Sequence, residues 1–551
     1  MTARDAEPTG SSSAGPSAPL VLAVAAVSGA AVMVIELAAV RLLAPWFGAS
    51  SAVWTNVIGV VLLALSVGYL AGARLSRTPR PVRALCGLLL CGGAWTILLP
   101  ACAAPVAQWL LGGGELALER SPALFAWGSL AAAAALFGPA AGLLGGVGPL
   151  AVELLQRAGV AHAGTAGGRV LCVSTLGSLA GTFATTHLAL PSWGLGLSFR
   201  ITGLVLVGLA GLLLIRERRP LAVVGSLALG ALAAVTARGP RLPLPQDGAR
   251  VLAQLESAYQ SLRVVESADG TERLLQVNEG LDSFQSVWRA EEGLLPLGFY
   301  YDYFAPPLAF RARERGQDAP LEAWVVGFGA GTVWRVLSPL FAESTPLRMT
   351  GIEVDGEVVR LGREWMSLPS AGAAMPLGEL RVLSDRDGRA ALRDAPSDLD
   401  AILLDAYANQ SEIPAHLSSV EFMREARSHL APGGWFAANV GGFGVEDPVV
   451  EALASTVATA FEQRVLAIAL PFSRNVAVWA VEGGEPPEPG SESWNLPAPI
   501  GPQLLPAISL PGLWRWIEPR AAAPLTDDRN PIDALQRRSL ERGARLLAEG
   551  A

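Results

Sequence analysis

The sequence predicts a chain in two parts: a multi-span α-helical membrane domain, followed by a doubly wound α/β domain with a small antiparallel β-sheet on its N-terminal side. Three observations predict this fold class. Hydrophobic residues make up 51% of the 551 residues and charged residues only 16%, and the apolar excess lies in the first half. The second half alternates short apolar runs with helical stretches, as a sheet flanked by helices requires. One such unit, residues 323–356, has the pattern strand, glycine turn, helix, strand and acid.

Composition excludes two classes of function. The net charge is −8, so the chain offers no basic face for nucleic acid. The four cysteines lie in apolar stretches without metal-site spacing, and the four histidines are scattered. We therefore expect neither a nucleic-acid partner nor a metal.

Residues 1–18 are rich in Ser, Pro, Gly and Ala and are predicted to be a disordered tail. Residues 19–238 are predicted to be the transmembrane domain, with seven or eight spans. The segments are Leu20–Leu43, Val53–Ala73, Ala84–Trp109, Pro122–Phe137, Val170–Leu190, Ile201–Ile215 and Leu221–Ala237. A glycine- and proline-broken stretch, Gly138–Leu155, is either a span of its own or the second half of a kinked one.

The arginines of the loops indicate orientation. Those between Arg74 and Arg83 place the second loop in the cytoplasm, and the acidic third loop lies outside. If residues 122–155 cross once, the arginines alternate correctly but the soluble half lies outside. A double crossing, or a last segment that does not span, places it inside. We predict a multi-pass protein of the cell (inner) membrane and leave the side of the soluble half open.

Two features of the apolar half point to helix packing rather than chemistry. Glu36 and Arg41 in the first span are interpreted as a structural pair near the interface, with a polar headgroup or substrate site as the alternative. Two glycine pairs spaced four residues apart predict close helix–helix contacts; they are Gly68 with Gly72 and Gly177 with Gly181.

The soluble half is predicted to contain four parts. Residues 239–250 form a Pro-rich linker, residues 251–298 a small antiparallel β domain, residues 299–481 a Rossmann-like nucleoside-binding domain, and residues 482–551 a Pro-rich loop with a terminal helix.

Polar residues follow successive strands of the predicted α/β sheet. The glycine turn comes after the first strand, Glu353 after the second, Asp387 after the third and Asp405 after the fourth. Ligands of such sheets bind beyond the carboxyl ends of the strands. A carboxylate accepts hydrogen bonds from both ribose hydroxyls, and glycines let the backbone approach a ligand. The sequence therefore predicts a site for an adenosine-like molecule.

With these positions placed, the chain resembles the membrane-fused branch of the spermidine synthase (polyamine aminopropyltransferase) family. In the apolar half the resemblance is carried by the stretches 36–48 and 174–182. In the soluble half it is carried by the glycine turn with Gly327, Gly329 and Gly331, by Glu353 in Gly-Ile-Glu-Val-Asp, by Asp387-Gly388 and by Asp405. Gln260 is similar to the family's contact near the sulfur side of the donor.

The resemblance implies a methyltransferase-like fold and aminopropyl transfer to an amine. The co-substrate is decarboxylated S-adenosylmethionine, or S-adenosylmethionine itself. Asp405 is the implied catalytic residue, orienting and deprotonating the amine, but the second acid of the family's loop is replaced by Ala408. The candidates for holding the amine substrate are Glu279, Asp282, Gln285, Tyr301 and Asp302.

Two other functions stay open. The first is an S-adenosylmethionine-dependent methyltransferase. The second is a non-catalytic transporter or sensor whose soluble half only binds a nucleoside or polyamine. The expected partners are a small-molecule amine and the lipid bilayer, with a homodimer as a possible assembly.

Overall fold

The computed structural model describes residues 16–47, 51–111, 122–159, 162–217, a few positions between 223 and 235, 248–277, 284–296, 299–316, 320–341, 345–370, 378–407, 413–471, 473–510 and 512–550. The chain divides into two compact units, residues 1–114 with 126–242 and residues 115–125 with 243–551. The predicted tail and linker lie largely outside the described residues, as do Glu279, Asp282 and Ala408.

The first unit is helical. Its helices are α1 (Ala18–Phe47), α2 (Ser51–Leu75), α3 (Pro81–Leu110), α4 (Pro122–Gly145), α5 (Val147–Arg157), α6 (Ala163–Ala184) and α7 (Leu190–Arg216). A π-helical turn, Thr185–Ala189, joins α6 to α7, and α7 is kinked at Gly194, where φ is 69°. Helix α1 packs on α6, and α3 packs on α7.

Five helical segments of the described residues are long and apolar enough to cross a membrane. They are Ala18–Phe47, Ala52–Leu75, Pro81–Leu110, Trp127–Arg157 and Ala163–Arg216. Trp127–Arg157 spans 31 residues and includes most of α4 and all of α5, which meet at Gly146. Its length suits a single crossing, one of the two alternatives for this stretch. The last segment has 54 residues, enough for two crossings, and it contains two of the predicted spans. The predicted span Leu221–Ala237 lies largely outside the described residues.

The predicted glycine contacts are confirmed. A Cβ atom built on Gly177 would lie 2.0 Å from the carbonyl oxygen of Ala26 in α1, and one on Gly181 would lie 2.6 Å from that of Ala30. A Cβ atom built on Gly68 of α2 would likewise lie 2.2 Å from the carbonyl oxygen of Gly142 in α4. Only glycine lets these backbones approach so closely.

The substitution Gly177→Ala is expected to destabilise the helical unit. Its methyl group overlaps backbone of α1, and overpacking of this kind costs about 1–3 kcal/mol. Gly167→Ala, in the same helix, is the matched control, because no atom lies within 4 Å of its Cβ position. Thermal unfolding in detergent should give a lower midpoint for Gly177→Ala alone, and equal midpoints for the two variants would contradict the packing.

The second unit begins with a four-stranded antiparallel sheet in the order β1-β2-β3-β4. Its strands are β1 (Arg250–Glu256), β2 (Ser261–Glu266), β3 (Glu272–Val277) and β4 (Ser286–Arg289). The sheet follows the helical unit and is not at the N-terminus of the chain. Its apolar residues pack against helix α10, defined below.

A mixed eight-stranded sheet forms the rest, a Rossmann-type fold in the order β12-β10-β11-β9-β8-β5-β6-β7. Its strands are β5 (Leu321–Val326), β6 (Leu347–Glu353), β7 (Gly378–Ser384), β8 (Leu399–Leu404), β9 (Leu430–Gly441), β10 (Val465–Ala469), β11 (Asn475–Val481) and β12 (Trp514–Ile517). Strands β5 to β9 are parallel, and β10 to β12 are antiparallel.

Helices cover both faces of this sheet. They are α8 (Ala305–Arg315), α9 (Thr332–Phe341), α10 (Gly356–Trp365), α11 (Gly388–Leu392), α12 (Val420–Ser428), α13 (Pro448–Phe461), α14 (Ile500–Ile508) and α15 (Ile532–Gly550). The Pro-rich loop predicted after residue 482 contains a helix that the prediction did not include, α14. Strand β12 was also missed, and it adds an antiparallel edge beside β10.

The strand order fixes the place of the site. Strand β6, the next along the chain, lies on one side of β5, and strand β8 lies on the other side of β5. A crevice forms where the order reverses in this way, beyond the carboxyl ends of the strands. Val326, Glu353 and Asp405 stand at or directly after those ends.

Candidate active site

The turn after β5 needs glycine for steric reasons. Gly327 has φ 85°, and a Cβ there would lie 2.4 Å from the carbonyl oxygen of Asp405. Gly329 has φ 58°, and its Cβ would lie 2.6 Å from Oγ of Ser286. A side chain at either position would push the turn away from β8 or from the small sheet. Gly331, with φ 94°, is crowded by Leu368. The three predicted glycines therefore bring the tips of the strands together.

Glu353 is held against this turn. Its Oε2 atom accepts a hydrogen bond from the backbone N–H of Gly329 at 2.8 Å, and its Oε1 atom accepts from that of Asp355 at 3.1 Å. The side chain is only 9% exposed. Burial raises the pKa of Glu353 to about 7, although the two backbone donors act to lower it. Each oxygen retains a lone pair for a further donor, such as a ribose hydroxyl.

A second buried carboxylate supports this arrangement. Asp355 caps the N-terminus of α10 by accepting from the backbone N–H of Glu357. Its Oδ2 atom also accepts from Oγ of Ser257 at 2.6 Å and from Nε2 of Gln260 at 3.2 Å. The amide of Gln260, predicted to contact the donor, is thus bound to Asp355. The cap was not predicted, although the sequence Asp355-Gly356-Glu357 at the helix start is a local pattern that could have indicated it.

Asp405 is the other buried carboxylate of the crevice. Its backbone N–H donates to the carbonyl oxygen of Val326, which ties the end of β8 to β5. Its Oδ1 atom accepts from Nδ2 of Asn439 at 2.9 Å, and the Tyr300 side chain hydrogen-bonds to the carboxylate. Burial raises the pKa of Asp405 to about 7; the Asn439 and Tyr300 hydrogen bonds lower it, and the charge of Glu353 raises it further.

Two predicted substrate residues lie in the same network. The Tyr301 hydroxyl donates to the carbonyl oxygen of Gln285 at 2.9 Å, and Nε2 of Gln285 lies 3.4 Å from the carbonyl oxygen of Tyr407. The Tyr407 hydroxyl in turn donates to the carbonyl oxygen of Asn439 at 2.8 Å. The Tyr300 and Tyr301 rings contact each other at a tilt of 34°, with centroids 4.1 Å apart. Asp405 is thus surrounded by hydroxyl and amide groups.

Asp387 and Gly388 stand at the end of the neighbouring strand β7. Asp387 caps α11 through the backbone N–H of Ala390, and its Oδ2 atom lies 2.9 Å from Nε2 of His416. Partial burial raises the pKa of Asp387, but the Ala390 and His416 hydrogen bonds outweigh it and the net shift is downward. A Cβ on Gly388 would lie 2.5 Å from Val326, so glycine lets α11 start directly against β5.

Asp302, another predicted substrate residue, makes a contact of its own. Its side chain is fully buried, and Oδ1 accepts from the backbone N–H of Leu295 at 2.9 Å. Burial raises the pKa of Asp302 to about 8. Within the described part of the chain, its polar contact is with Leu295 and not with the residues around Asp405. It therefore serves the loop before α8 in this structure.

Four residues around Asp405 were missed by sequence reasoning. Tyr300, Tyr407, Asn439 and Asn475 were not among the predicted site residues. Asn439 had a signal, since it is a polar residue near the end of an apolar strand, like Glu353 and Asp405. Asn475 had none, because its place beside Asn439 depends on how β11 pairs with β9.

The two raised pKa values predict how stability changes with pH. Both carboxyls bind protons more tightly in the folded than in the unfolded chain, so the folded state is favoured at low pH. Stability should therefore decrease as the pH rises from about 4 through about 7. We expect the thermal midpoint of the unliganded protein to be higher near pH 6 than near pH 8, and this difference to shrink in Asp405→Asn. The control Asp398→Asn, at an exposed site, should show the same difference in thermal midpoint as the parent chain. An equal difference in both variants would contradict the burial of the Asp405 charge.

The described residues contain no group of three or more His, Cys, Asp or Glu suited to a metal ion. The crevice holds two buried carboxyls close enough to influence each other, with hydroxyl and amide donors around Asp405 and backbone donors around Glu353. Such a crevice suits a neutral or cationic ligand that carries hydroxyl groups.

Comparison with known proteins identifies relatives of the C-terminal part. A probable polyamine aminopropyl transferase of Bifidobacterium longum is 32% identical over 240 residues, covering 43% of this chain and 48% of that protein. A polyamine aminopropyltransferase of Mycobacterium tuberculosis is 28% identical over 333 residues, covering 57% of this chain and 58% of that protein. The chain thus spans about half the length of the curated relatives it matches. No family model matches.

The similar solved structures include spermidine synthases. A probable spermidine synthase of Corynebacterium glutamicum has a TM-score of 0.40 at 20% identity, covering 50% of this chain and 97% of that one. The spermidine synthase of Thermotoga maritima has a TM-score of 0.35 at 19% identity, covering 48% and 85%. Another is a spermidine synthase in complex with the transition-state analogue AdoDATO, at 18% identity with a TM-score of 0.35.

Proposed function

We propose that this chain, whose C-terminal part matches the polyamine aminopropyltransferase family, transfers an aminopropyl group from decarboxylated S-adenosylmethionine to an amine acceptor. The observation that carries the proposal is the position of Asp405. This buried carboxyl with a near-neutral pKa lies directly beside the glycine turn, next to a second carboxyl that suits a ribose.

The nucleoside half of the site is assigned to the turn and the strand tips. Glu353 accepts hydrogen bonds from the two ribose hydroxyls, and Gly327, Gly329 and Gly331 let the backbone approach the nucleoside. Asp387 and Gly388, at the next strand tip, receive the adenine. Gln260 supports this half indirectly, through Asp355.

The acceptor half is assigned to Asp405 and the groups around it. An ammonium ion has no lone pair, so the amine must lose a proton before it attacks. Asp405 has a pKa near the working pH, which suits a general base. The amine nitrogen then forms a bond to the propyl carbon, the carbon–sulfur bond breaks with its electron pair on sulfur, and methylthioadenosine leaves. The proton of the amine passes to Asp405.

Gln285 and Tyr301 are proposed to line the acceptor channel. They are linked to the Asp405 surroundings through Tyr407 and Asn439. Glu279 and Asp282, which lie outside the described residues, stay candidates for the distal amine of a polyamine. Asp302 also stays a candidate for this role, because Oδ1 accepts from Leu295 while Oδ2 has no hydrogen-bond partner among the described residues.

We also propose that the helical unit resides in the bilayer of the cell membrane. Its five long apolar helices support this placement, and large apolar side chains such as Leu63, Leu70 and Leu171 are exposed on the helix surfaces, as lipid contact favours. A reporter fused after Ala551 tests the side of the soluble half. A cytoplasmic signal agrees with use of a cytosolic donor, and an external signal contradicts the enzymatic proposal.

Product analysis with the purified full chain in detergent tests the reaction. Decarboxylated S-adenosylmethionine with putrescine should release methylthioadenosine and form an aminopropylated amine. Release of S-adenosylhomocysteine from S-adenosylmethionine would instead indicate a methyltransferase. Nucleoside binding with no turnover of either donor would leave the transporter or sensor alternative.

A further inference from the structure

A series of side-chain hydrogen bonds, all donated in the same direction, ends at Asp405. Ser473 donates its hydroxyl to Oδ1 of Asn475 at 2.8 Å, and Asn475 donates Nδ2 to Oδ1 of Asn439 at 2.8 Å. Asn439 then donates its own Nδ2 to Oδ1 of Asp405 at 2.9 Å. Every donor along this series faces toward the carboxylate.

The sheet explains why these side chains meet. Strands β9 and β11 pair antiparallel, with Asn475 opposite Gly441 and Ala477 opposite Asn439. Positions 439 and 441 lie on the same face of β9, so Asn475 is the diagonal neighbour of Asn439 on that face. Strand β8 lies on the other side of β9 and delivers Asp405 to the same point.

The direction of these hydrogen bonds determines what the Asn439 amide presents to Asp405. An ionised carboxylate only accepts hydrogen bonds, whereas an amide offers NH₂ on one side and oxygen on the other. If the Asn439 amide turned over, its oxygen would face Asp405 and repel the charge. Asn475 opposes this turn because it presents an N–H donor to the Asn439 oxygen, and Ser473 fixes Asn475 in the same manner.

We propose that Asn475, held by Ser473, is a positioning residue that keeps the Asn439 amide donating to Asp405 and so leaves the other carboxylate oxygen to take the proton of the acceptor amine. This role rests on the proposed function of Asp405. The other titratable groups that face Asp405 are Glu353 from β6, Tyr300 and Tyr301 before α8, and Tyr407 after β8. None of them touches Asn475 among the described contacts, so a change at Asn475 reaches Asp405 through Asn439.

The test uses Asn475→Asp, which keeps the shape but removes the donor. Asn439 should turn over, and Asp405 then loses a donor and faces an acceptor, so its pKa should rise by about one unit. The first readout needs no substrate: carbon-13 NMR titration of aspartate carboxyls in the full chain, with the Asp405 signal assigned from Asp405→Asn. Asn495→Asp, which adds the same charge at an exposed site, is the matched control and should leave the titration unchanged.

The second readout is the pH profile of kcat. In Asn475→Asp the acidic limb should move to higher pH, with a fall of about fivefold near pH 7 and recovery at high pH, while KM for the donor stays unchanged. Asn475→Ala, which removes the anchor without adding charge, should shift both readouts less and in the same direction. If Asp405 titrates alike in all variants, or if kcat falls equally at every pH, the positioning role is overturned. A shifted titration in a protein without aminopropyl transfer would support the positioning and refute the proposed function.

Discussion

Replacing Asp405 with asparagine is expected to lower kcat for aminopropyl transfer by at least about 100-fold. Asparagine keeps the size of the side chain, and its oxygen still accepts from Asn439, but it takes no proton from the amine. Binding of methylthioadenosine, which lacks the reacting amine, should change by less than about threefold, since nucleoside contacts are assigned to other residues. Steady-state kinetics and calorimetry measure the two effects.

The control for this variant is Asp398→Asn, the same chemical change at an exposed site. It should retain the activity of the parent chain. Because burial raises the pKa of Asp405, Asp405→Asn should also be as stable as the parent chain or more stable at pH 8. A loss of kcat together with a lower thermal midpoint would point to misfolding and not to the loss of a base.

The strand tips of the site were predictable because their signals are local. A short apolar run followed by glycines or an acid indicates a buried strand and its end, and the structure places Glu353 beside Gly329 and Asp405 beside Gly327. The small-residue faces of the helices were predictable for the same reason, since the spacing in Gly177-x-x-x-Gly181 sets one helix face.

The missed features depend on contacts between distant parts of the chain. The hydrogen bond from Gln260 to Asp355, 95 residues later, was not predicted, because it depends on how the β1–β2 turn packs against the start of α10. Helix α14 was missed because prolines precede it and Pro506 lies inside it, and both favour a loop. The burial of Ile500, Leu504 and Ile508 stabilises this helix, and that burial is not visible in the local sequence.

Replacing Glu353 with glutamine is expected to raise KM for the donor by about 10- to 100-fold, since a hydrogen bond to a charged group contributes about 1.5–3 kcal/mol. The carboxylate accepts from the backbone N–H groups of Gly329 and Asp355 at once. Glutamine has one acceptor oxygen, so its NH₂ group must face one of these donors and a ribose hydroxyl loses its partner. The kcat at saturating donor should change less, because Asp405 is intact.

The matched control is Glu379→Gln on β7, where the carboxylate is 73% exposed. It should bind methylthioadenosine like the parent chain in calorimetry. A free adenosine analogue without the ribose hydroxyls gives a second check: Glu353→Gln should bind it as weakly as the parent chain does, because the carboxylate then has no hydroxyl to receive. If Glu353→Gln lost affinity equally for analogues with and without the hydroxyls, relative to the parent chain, the role of Glu353 would be to hold the glycine turn and not the ribose.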